Sequence, residues 1–317
     1  MRPVVTVTLN AAVDLTVGVD GFRPGAVNRA VSVVSNAGGK GVNVAGCAAD
    51  WGAAVTATGL IGRGNDGIFA GFFAAKGIAD RFVRIAGDTR TNVKIADLCS
   101  GETTDLNMPG PAADAEALAE VAATALAAAT PGAPVALAGS LPAGLAPDSW
   151  ARLARTLGAA GARVVVDTSG PALAAVLAAA PGDLPYAVKP NRHELEEWAG
   201  RPIADRDGLV EAAAGLVRRG IGLVVVSLGA DGALFVRAGA VIAARLPAVR
   251  AESTVGAGDA MVAGLVTAIA EDLDPEATAR RAVAFAAAKL GRIGPHLPAP
   301  DVVRALADAA EITRLAG

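Results

Sequence analysis

Ser253-Thr-Val-Gly-Ala-Gly-Asp-Ala-Met-Val-Ala-Gly264 joins two kinds of chain. Its first part, Thr254 to Gly258, holds too much glycine for regular structure. From Asp259 onward, Ala260, Ala263, Leu265, Ala268, Ile269 and Ala270 are apolar and good or tolerable helix formers. The stretch therefore predicts a glycine loop that opens a helix. A helix start presents unpaired backbone N–H groups and the positive end of a dipole. Gly256 and Gly258 have no Cβ, so an anion can approach the amides around Ala257 closely. Asp259 falls in the first turn and faces whatever the loop binds. Donors for a migrating charged group, beside a carboxylate that accepts a hydroxyl proton, are the equipment of phosphoryl transfer. The plainer reading of this loop alone is an aspartate N-cap after a flexible turn.

Outward from that stretch the chain mostly alternates strand and helix. Val4–Leu9 is a β-branched run and reads as a buried first strand, ending at Asn10. Further strands are expected at Val55–Ile61, Val135–Ala138, Arg163–Val166 (ending at Asp167), Tyr186–Val188 and Ile221–Ser227, with helices between them. Two short strands follow Gly232, and helices from Asp259, Pro275 and Pro300 finish the chain. The alternation predicts an α/β fold, in which ligands bind beyond the carboxyl ends of the strands. Asp14, one short turn past the first strand, is thus a candidate for gripping hydroxyls.

Two segments break the rhythm. Leu15–Ser35, which contains Arg29, alternates apolar residues with glycines and reads as short antiparallel strands. Asp88–Asn107 contains Thr89-Arg-Thr-Asn-Val-Lys-Ile95, in which Arg90, Asn92 and Lys94 share one strand face. Two cations and an amide on one face suit a phosphate, although a solvated face has the same pattern. Gly101-Glu102 reads as a hairpin turn. Paired together, about 15–35 and 88–107 would make a small sheet over the main body, a lid.

Two more glycine clusters stand before helices. In Asn36-Ala-Gly-Gly-Lys-Gly-Val-Asn-Val-Ala45, Lys40 is followed by Gly41 and not by Ser or Thr, so this is no Walker A loop. It still lets backbone approach a polar ligand, with Lys40 and Asn43 one turn apart on one helix face. Gly62-Arg-Gly-Asn-Asp-Gly67 fits G-x-G-x-x-G between a strand and a helix, which raises a dinucleotide-dependent oxidoreductase as an alternative. Asp66 would repel a pyrophosphate, however, and this is not the first βα unit.

Composition narrows the classes. The chain has 317 residues, 53% hydrophobic and 19% charged, with a net charge of −3; its pI is about 5.5. Its 28 Lys and Arg are scattered, which argues against nucleic acid as the main partner. Cys47 and Cys99 form no CxxC pair and suit reduced thiols in the cytoplasm. The first residues run straight into a strand with no signal-peptide pattern, and no apolar run of membrane-spanning length is free of Gly, Pro or charge.

Together these motifs resemble the PfkB (ribokinase-like) family of sugar kinases, from end to end. Gly38-Gly-Lys-Gly-Val-Asn-Val-Ala45 is similar to one family signature and Ser253–Gly264 to the other. Asn191 and Glu194 match the family's N-x-x-E pair. Ser227-Leu-Gly-Ala-Asp-Gly232 resembles its nucleotide loop. Thr8–Asp14 and Thr89–Lys94 are closest to the 1-phosphofructokinase and tagatose-6-phosphate kinase subgroup, which acts on phosphorylated ketohexoses. That subgroup usually has proline after the asparagine of the first motif; here Ala11 stands there, which loosens the turn without removing a functional group.

The resemblance implies a single kinase domain over 1–317, a ribokinase-like three-layer sandwich with a mainly parallel central sheet and a small β-sheet lid. It implies ATP and Mg²⁺ as cofactors. Asp259 would be the base, beside the amides of Gly256, Ala257 and Gly258. Asp14, Gly38, Gly39, Lys40, Asn43, Arg90, Asn92, Lys94, Ser140 and Arg29 would hold the sugar phosphate, with Arg90 foremost for its phosphate. Lys189, Asn191, Ser227, Gly229, Ala230, Gly232, Thr254 and Lys289 would hold the nucleotide. Glu194 and Asn191 would hold the metal, through water. The expected reaction converts fructose 1-phosphate to fructose 1,6-bisphosphate, with fructose 6-phosphate and tagatose 6-phosphate as alternative acceptors. A homodimer through the lid and a cytoplasmic location are also implied. A non-catalytic sugar-phosphate sensor is the other alternative, and retention of Asp259, Asn191 and Glu194 argues against it.

Overall fold

The computed structural model describes residues 1–246, 256–290 and 294–315. Thr254, expected to touch nucleotide, lies outside the described residues. In chain order the strands are β1 (Val4–Thr8), β2 (Ala12–Val19), β3 (Ala30–Gly38), β4 (Val55–Gly62), β5 (Ala79–Ile85), β6 (Thr91–Asp97), β7 (Thr103–Asn107), β8 (Pro134–Ala138), β9 (Arg163–Asp167), β10 (Ala187–Val188), β11 (Leu223–Ser227), β12 (Ala233–Arg237), β13 (Ala240–Arg245) and β14 (Glu311–Leu315). The helices are α1 (Lys40–Asp50), α2 (Gly67–Lys76), α3 (Ala115–Ala128), α4 (Ser149–Ala159), α5 (Gly170–Leu177), α6 (Arg192–Ala199), α7 (Arg206–Arg218), α8 (Ala257–Ala270), α9 (Pro275–Leu290) and α10 (Pro300–Ala309).

Ten strands make the middle layer, in the order β14-β13-β12-β11-β10-β9-β8-β1-β4-β5. Pairing is parallel from β11 through to β5 and antiparallel from β11 out to β14. The inner strands β1, β8, β9 and β11 are buried on both faces, so they read as runs of Val, Ala, Leu and Thr. One apolar cluster lies between this sheet and α1, α2, α8, α9 and α10; a second lies between it and α3 to α7. These are the three expected layers.

The order of the strands also fixes where a ligand can sit. From β1 the chain steps outward to β4 and β5, then returns to β8 beside β1 and proceeds the other way. The crevice at such a reversal opens at the carboxyl ends of the strands. Both departures from the βα rhythm leave from that edge. One, β2 and β3, is inserted between β1 and α1; the other, β6 and β7, lies between β5 and α3. They meet as a separate four-stranded sheet, β3-β2-β6-β7, in which β2 and β6 run parallel.

α8 is buried from Asp259 to Ala270, as a helix that is apolar all round should be. Its neighbour α9 packs so close that a Cβ on Gly264 would stand 2.8 Å from the Cα of Ala282. Fully burying Leu265 or Ile269 contributes about 1.5–3 kcal/mol each, so the helix that carries Asp259 is held as rigidly as any part of the core.

Several expectations change. Strands β5 and β14 were not foreseen; β14 closes the sheet beyond β13, where the end of the chain reads as helix alone. Asp14 lies within β2, because the chain leaves β1 after only a brief bend and pairs at once. Arg90 immediately precedes β6 and is not part of it. Lys40 opens α1, and α8 begins at Ala257.

The Gly62–Gly67 motif binds no pyrophosphate in this fold. A Cβ on Gly62 would lie 2.4 Å from the amide nitrogen of Thr89, and one on Gly64 would lie 1.8 Å from Oδ1 of Asp88. These glycines are pressed against the segment that leads into β6. The space a dinucleotide requires is filled by the protein's own chain.

Candidate active site

Asp259 sits in the first turn of α8, 7% exposed. Its Oδ2 accepts a 2.7 Å hydrogen bond from Nδ2 of Asn43 in α1. Burial pushes its carboxyl up to about 6, and the charge of Asp167 adds to this; Lys40, the Asn43 bond and Lys189 oppose it. Gly256, with φ +79°, is the N-cap of α8. A Cβ there would stand 3.2 Å from Cε of Lys289, at the end of α9, and the left-handed backbone itself favours glycine. Burial pulls the Lys289 ammonium down, against the charge of Asp259.

Two more cations converge on Asp167, which ends β9 and is 1% exposed. Lys40 Nζ lies 3.3 Å from its Oδ2 and Lys189 Nζ lies 3.2 Å from its Oδ1. Burial works against the Lys40 ammonium, but the charges of Asp167 and Asp259 outweigh it and hold the lysine above its ordinary value. Sequence reasoning left Asp167 without a role. The rule that singled out Asp14, a polar residue at the carboxyl end of a parallel strand, would have found it.

The lid closes the other side. Register aligns Asn36, Asp14, Asn92 and Asn107 in one row across its four strands, and Thr16, Lys94 and Asp105 in the next. With Arg90, Gly39, Lys40, Asn43, Gly256, Asp259, Lys289, Gly294 and Pro295, these residues line a cavity of about 340 Å³. Asp14 Oδ1 accepts from Nδ2 of Asn92 at 3.1 Å, and burial raises its carboxyl although Asn92, Arg90 and Lys94 pull the other way. Gly38 makes room for that carboxylate: a Cβ there would lie 2.1 Å from Asp14 Oδ2. Lys94 is paired across the hairpin with Asp105.

Arg90 is different. Among the described residues its guanidinium donates to backbone carbonyls alone, those of Ala11 and Asn10 at 3.3 Å and Met108 at 3.5 Å. It is half-buried, and burial lowers its pKa against the pull of Asp14. Among the described residues it makes no ion pair.

The remaining expected residues lie apart from the cavity. Lys189 reaches it through Asp167, and its Nζ lies 3.6 Å from where a Cβ of Gly258 would be. Asn191 and Glu194 form a capping box at the start of α6: Glu194 N donates to Asn191 Oδ1 at 2.9 Å, and Asn191 N donates to Glu194 Oε2 at 2.8 Å. Ser227 bridges to Asn191, and Gly229 and Ala230 follow in an exposed 3₁₀ turn. Gly232 closes that turn at φ +83°, where a Cβ would meet the Ala244 carbonyl at 2.1 Å. Ser140 is exposed past β8 and accepts from Asn10 Nδ2 at 3.0 Å. Arg29 is exposed just before β3, outside the cavity lining, because its hairpin carries it away from the mouth. No group of three or more His, Cys, Asp and Glu among the described residues is arranged to hold a metal ion. No helix among them is long and apolar enough to cross a membrane.

Residues 4–302 match the pfkB family carbohydrate kinase model. A 1-phosphofructokinase of Xanthomonas campestris pv. campestris is 51% identical over 312 residues, 97% of each chain. Another, of Rhodobacter capsulatus, is 50% identical over 305 residues, 96% of this chain and 95% of that one. Among solved structures, phosphofructokinase-2 from Escherichia coli in complex with potassium is similar at a TM-score of 0.90 and 31% identity, over 97% of this chain and 99% of that one.

Proposed function

Since the chain belongs to the pfkB family of carbohydrate kinases, we propose that its ATP-dependent phosphotransfer acts on fructose 1-phosphate and yields fructose 1,6-bisphosphate. The observation that carries the choice of a phosphorylated acceptor is Arg90. A half-buried guanidinium whose hydrogen-bond partners among the described residues are neutral suits an anion. The names of the relatives at half identity favour the 1-phosphate ester.

Asp259 takes the proton from the acceptor hydroxyl, and its raised pKa suits a base that must also release that proton. Amides of Ala257, Gly258 and Asp259 at the start of α8 face the migrating group, with Lys40, Lys189 and Lys289 around it. Asp14, Gly38, Gly39, Asn43, Asn92 and Lys94 hold sugar hydroxyls and orient the acceptor. Gly256 shapes the loop, and Ser227, Gly229, Ala230 and Gly232 cradle the nucleotide.

Mg²⁺ fits this site in a limited way. The capping box uses one oxygen of Glu194 and leaves the other, Oε1, without a hydrogen bond. With no cage of protein ligands among the described residues, Glu194 and Asn191 would hold the ion through water, and it would neutralise phosphate charge. A homodimer through the lid belongs to the same reading, supported by the exposed Val27, Val31, Val33, Leu98 and Leu106. Arg29 has its place there and not in this cavity. A cytoplasmic setting suits the free thiols of Cys47 and Cys99.

ADP release on a panel of sugar phosphates and free sugars tests the reading. Fructose 1-phosphate should give the highest kcat/KM. Arg90→Ala should lower kcat/KM for it roughly a hundredfold or more relative to residual activity on free fructose, from the loss of charge-assisted bonds. Equal losses on both acceptors would refute the phosphate role of Arg90.

A further inference from the structure

The glycine motif that looked like a dinucleotide loop is the unabsorbed element of this chain, and the structure shows what it grips. Asn65, in the 3₁₀ turn Arg63–Asn65, brackets the Thr89 peptide unit on both sides. Thr89 N donates to Asn65 Oδ1 at 2.7 Å, and Asn65 Nδ2 donates to the Thr89 carbonyl at 2.8 Å. Gly62 N donates to the Thr89 hydroxyl at 2.8 Å, and Gly64 N donates to the Gly87 carbonyl at 3.0 Å. Thr89 is 3% exposed, so none of these bonds is easily exchanged for water. The absent Cβ atoms of Gly62 and Gly64 are what allow the segment 87–89 to lie so near.

The next residue is Arg90. Its own carbonyl accepts from Val13 N at 2.8 Å, one residue before Asp14. The arginine backbone is thus gripped from one side by the Gly62–Asn65 turn at the edge of the main sheet and from the other by β2 of the lid. A guanidinium gains from a phosphate only when its fork is held in register, so the rigidity of residue 89 sets what residue 90 can do.

We infer that Asn65 is a positioning residue for the acceptor's phosphate: with Gly62 and Gly64 it clamps Thr89 and so aims the Arg90 guanidinium into the lid cavity. The inference rests on the phosphate role of Arg90 in the proposed function. It turns a nucleotide-like motif into a specificity element for the sugar phosphate.

The test is a double-mutant cycle on the whole enzyme, with fructose 1-phosphate and ATP as substrates. Asn65→Ala removes both clamp bonds and should raise KM for fructose 1-phosphate roughly tenfold or more. kcat and KM for ATP should change less than about threefold. In an Arg90→Ala background the same substitution should have almost no further effect on KM, because the group it aims is gone. Gly64→Ala is an independent route: its new Cβ must displace Asp88, and it should raise KM in the same selective way.

Three results would overturn the inference: unchanged KM in both Asn65→Ala and Gly64→Ala, a parallel loss of kcat and ATP affinity, or a full additional loss in the Arg90→Ala background. If Arg90→Ala itself leaves KM unchanged, the phosphate reading fails along with the clamp. If Arg90→Ala raises KM and the clamp variants do not, only the clamp fails.

Discussion

Asp259 is the residue whose titration should govern this enzyme below neutrality. With its carboxyl near 6, about nine tenths is ionised at pH 7 and about one tenth at pH 5. A rate that needs the ionised base should therefore fall about tenfold over that interval. Phosphate monoesters lose their second proton near pH 6 as well, so a falling rate alone would not identify the group. The informative quantity is the ratio of kcat/KM for the parent to that for Asp259→Asn, measured with the same substrates at each pH. Substrate ionisations cancel in that ratio, and what remains is the aspartate. At pH 7.5 the ratio should be about a hundred to ten thousand, the usual contribution of a general base, and it should drop about tenfold by pH 5. The same shift carries a stability signature. A carboxyl whose folded pKa lies above its ordinary value of 3.8 contributes stability at low pH that is lost as pH rises through about 6. Asp259→Asn should thus be the more stable protein at pH 7.5, by on the order of 3 kcal/mol, with the gap closing as pH falls from about 6 to about 4 in denaturant titrations. A ratio that stays flat between pH 7.5 and 5, or turnover within tenfold of the parent at pH 7.5, would remove Asp259 from the base role.

Two further outcomes concern other residues of the site. Glu194→Gln should raise the Mg²⁺ concentration needed for half-maximal rate while leaving the melting temperature unchanged, because glutamine preserves the capping box with Asn191 and removes only the charge; an unchanged Mg²⁺ titration would reduce Glu194 to a helix cap. Asp167→Asn should move the acid limb of kcat/KM to lower pH, since the Asp167 charge helps hold the Asp259 carboxyl up while Lys40 and Lys189 pull it down. An acid limb that stays in place or moves upward in that variant would show that Asp167 does not act through Asp259.

Local chemistry alone determined a large part of this protein. The β-branched runs read as buried strands, and the glycine loop before an all-apolar helix reads as a helix start, so the layers and the place of Asp259 in a first helical turn were legible in residue order. The alternation around Arg90 and the valines of β2 and β3 likewise announced a second, small sheet. Tertiary structure decided the rest, because the rest depends on which distant segments meet. The β14 strand has no partner until the chain end returns to β13, so its residues read as the tail of a helix. Asp167 ends a strand like several others, and becomes a centre of charge only when Lys40 and Lys189 arrive from separate helix and loop starts. Gly62–Gly67 has the spacing of a phosphate cradle, yet the segment Gly87–Thr89 occupies that cradle, and no periodicity in the motif could reveal it. Asn191 and Glu194 have the spacing of a capping box and of a metal pair at once; the fold forms the first. Short-range patterns report backbone preference and burial, which are properties of neighbouring residues. The identity of a site is a property of residues far apart in the chain, and only their packing brings them together.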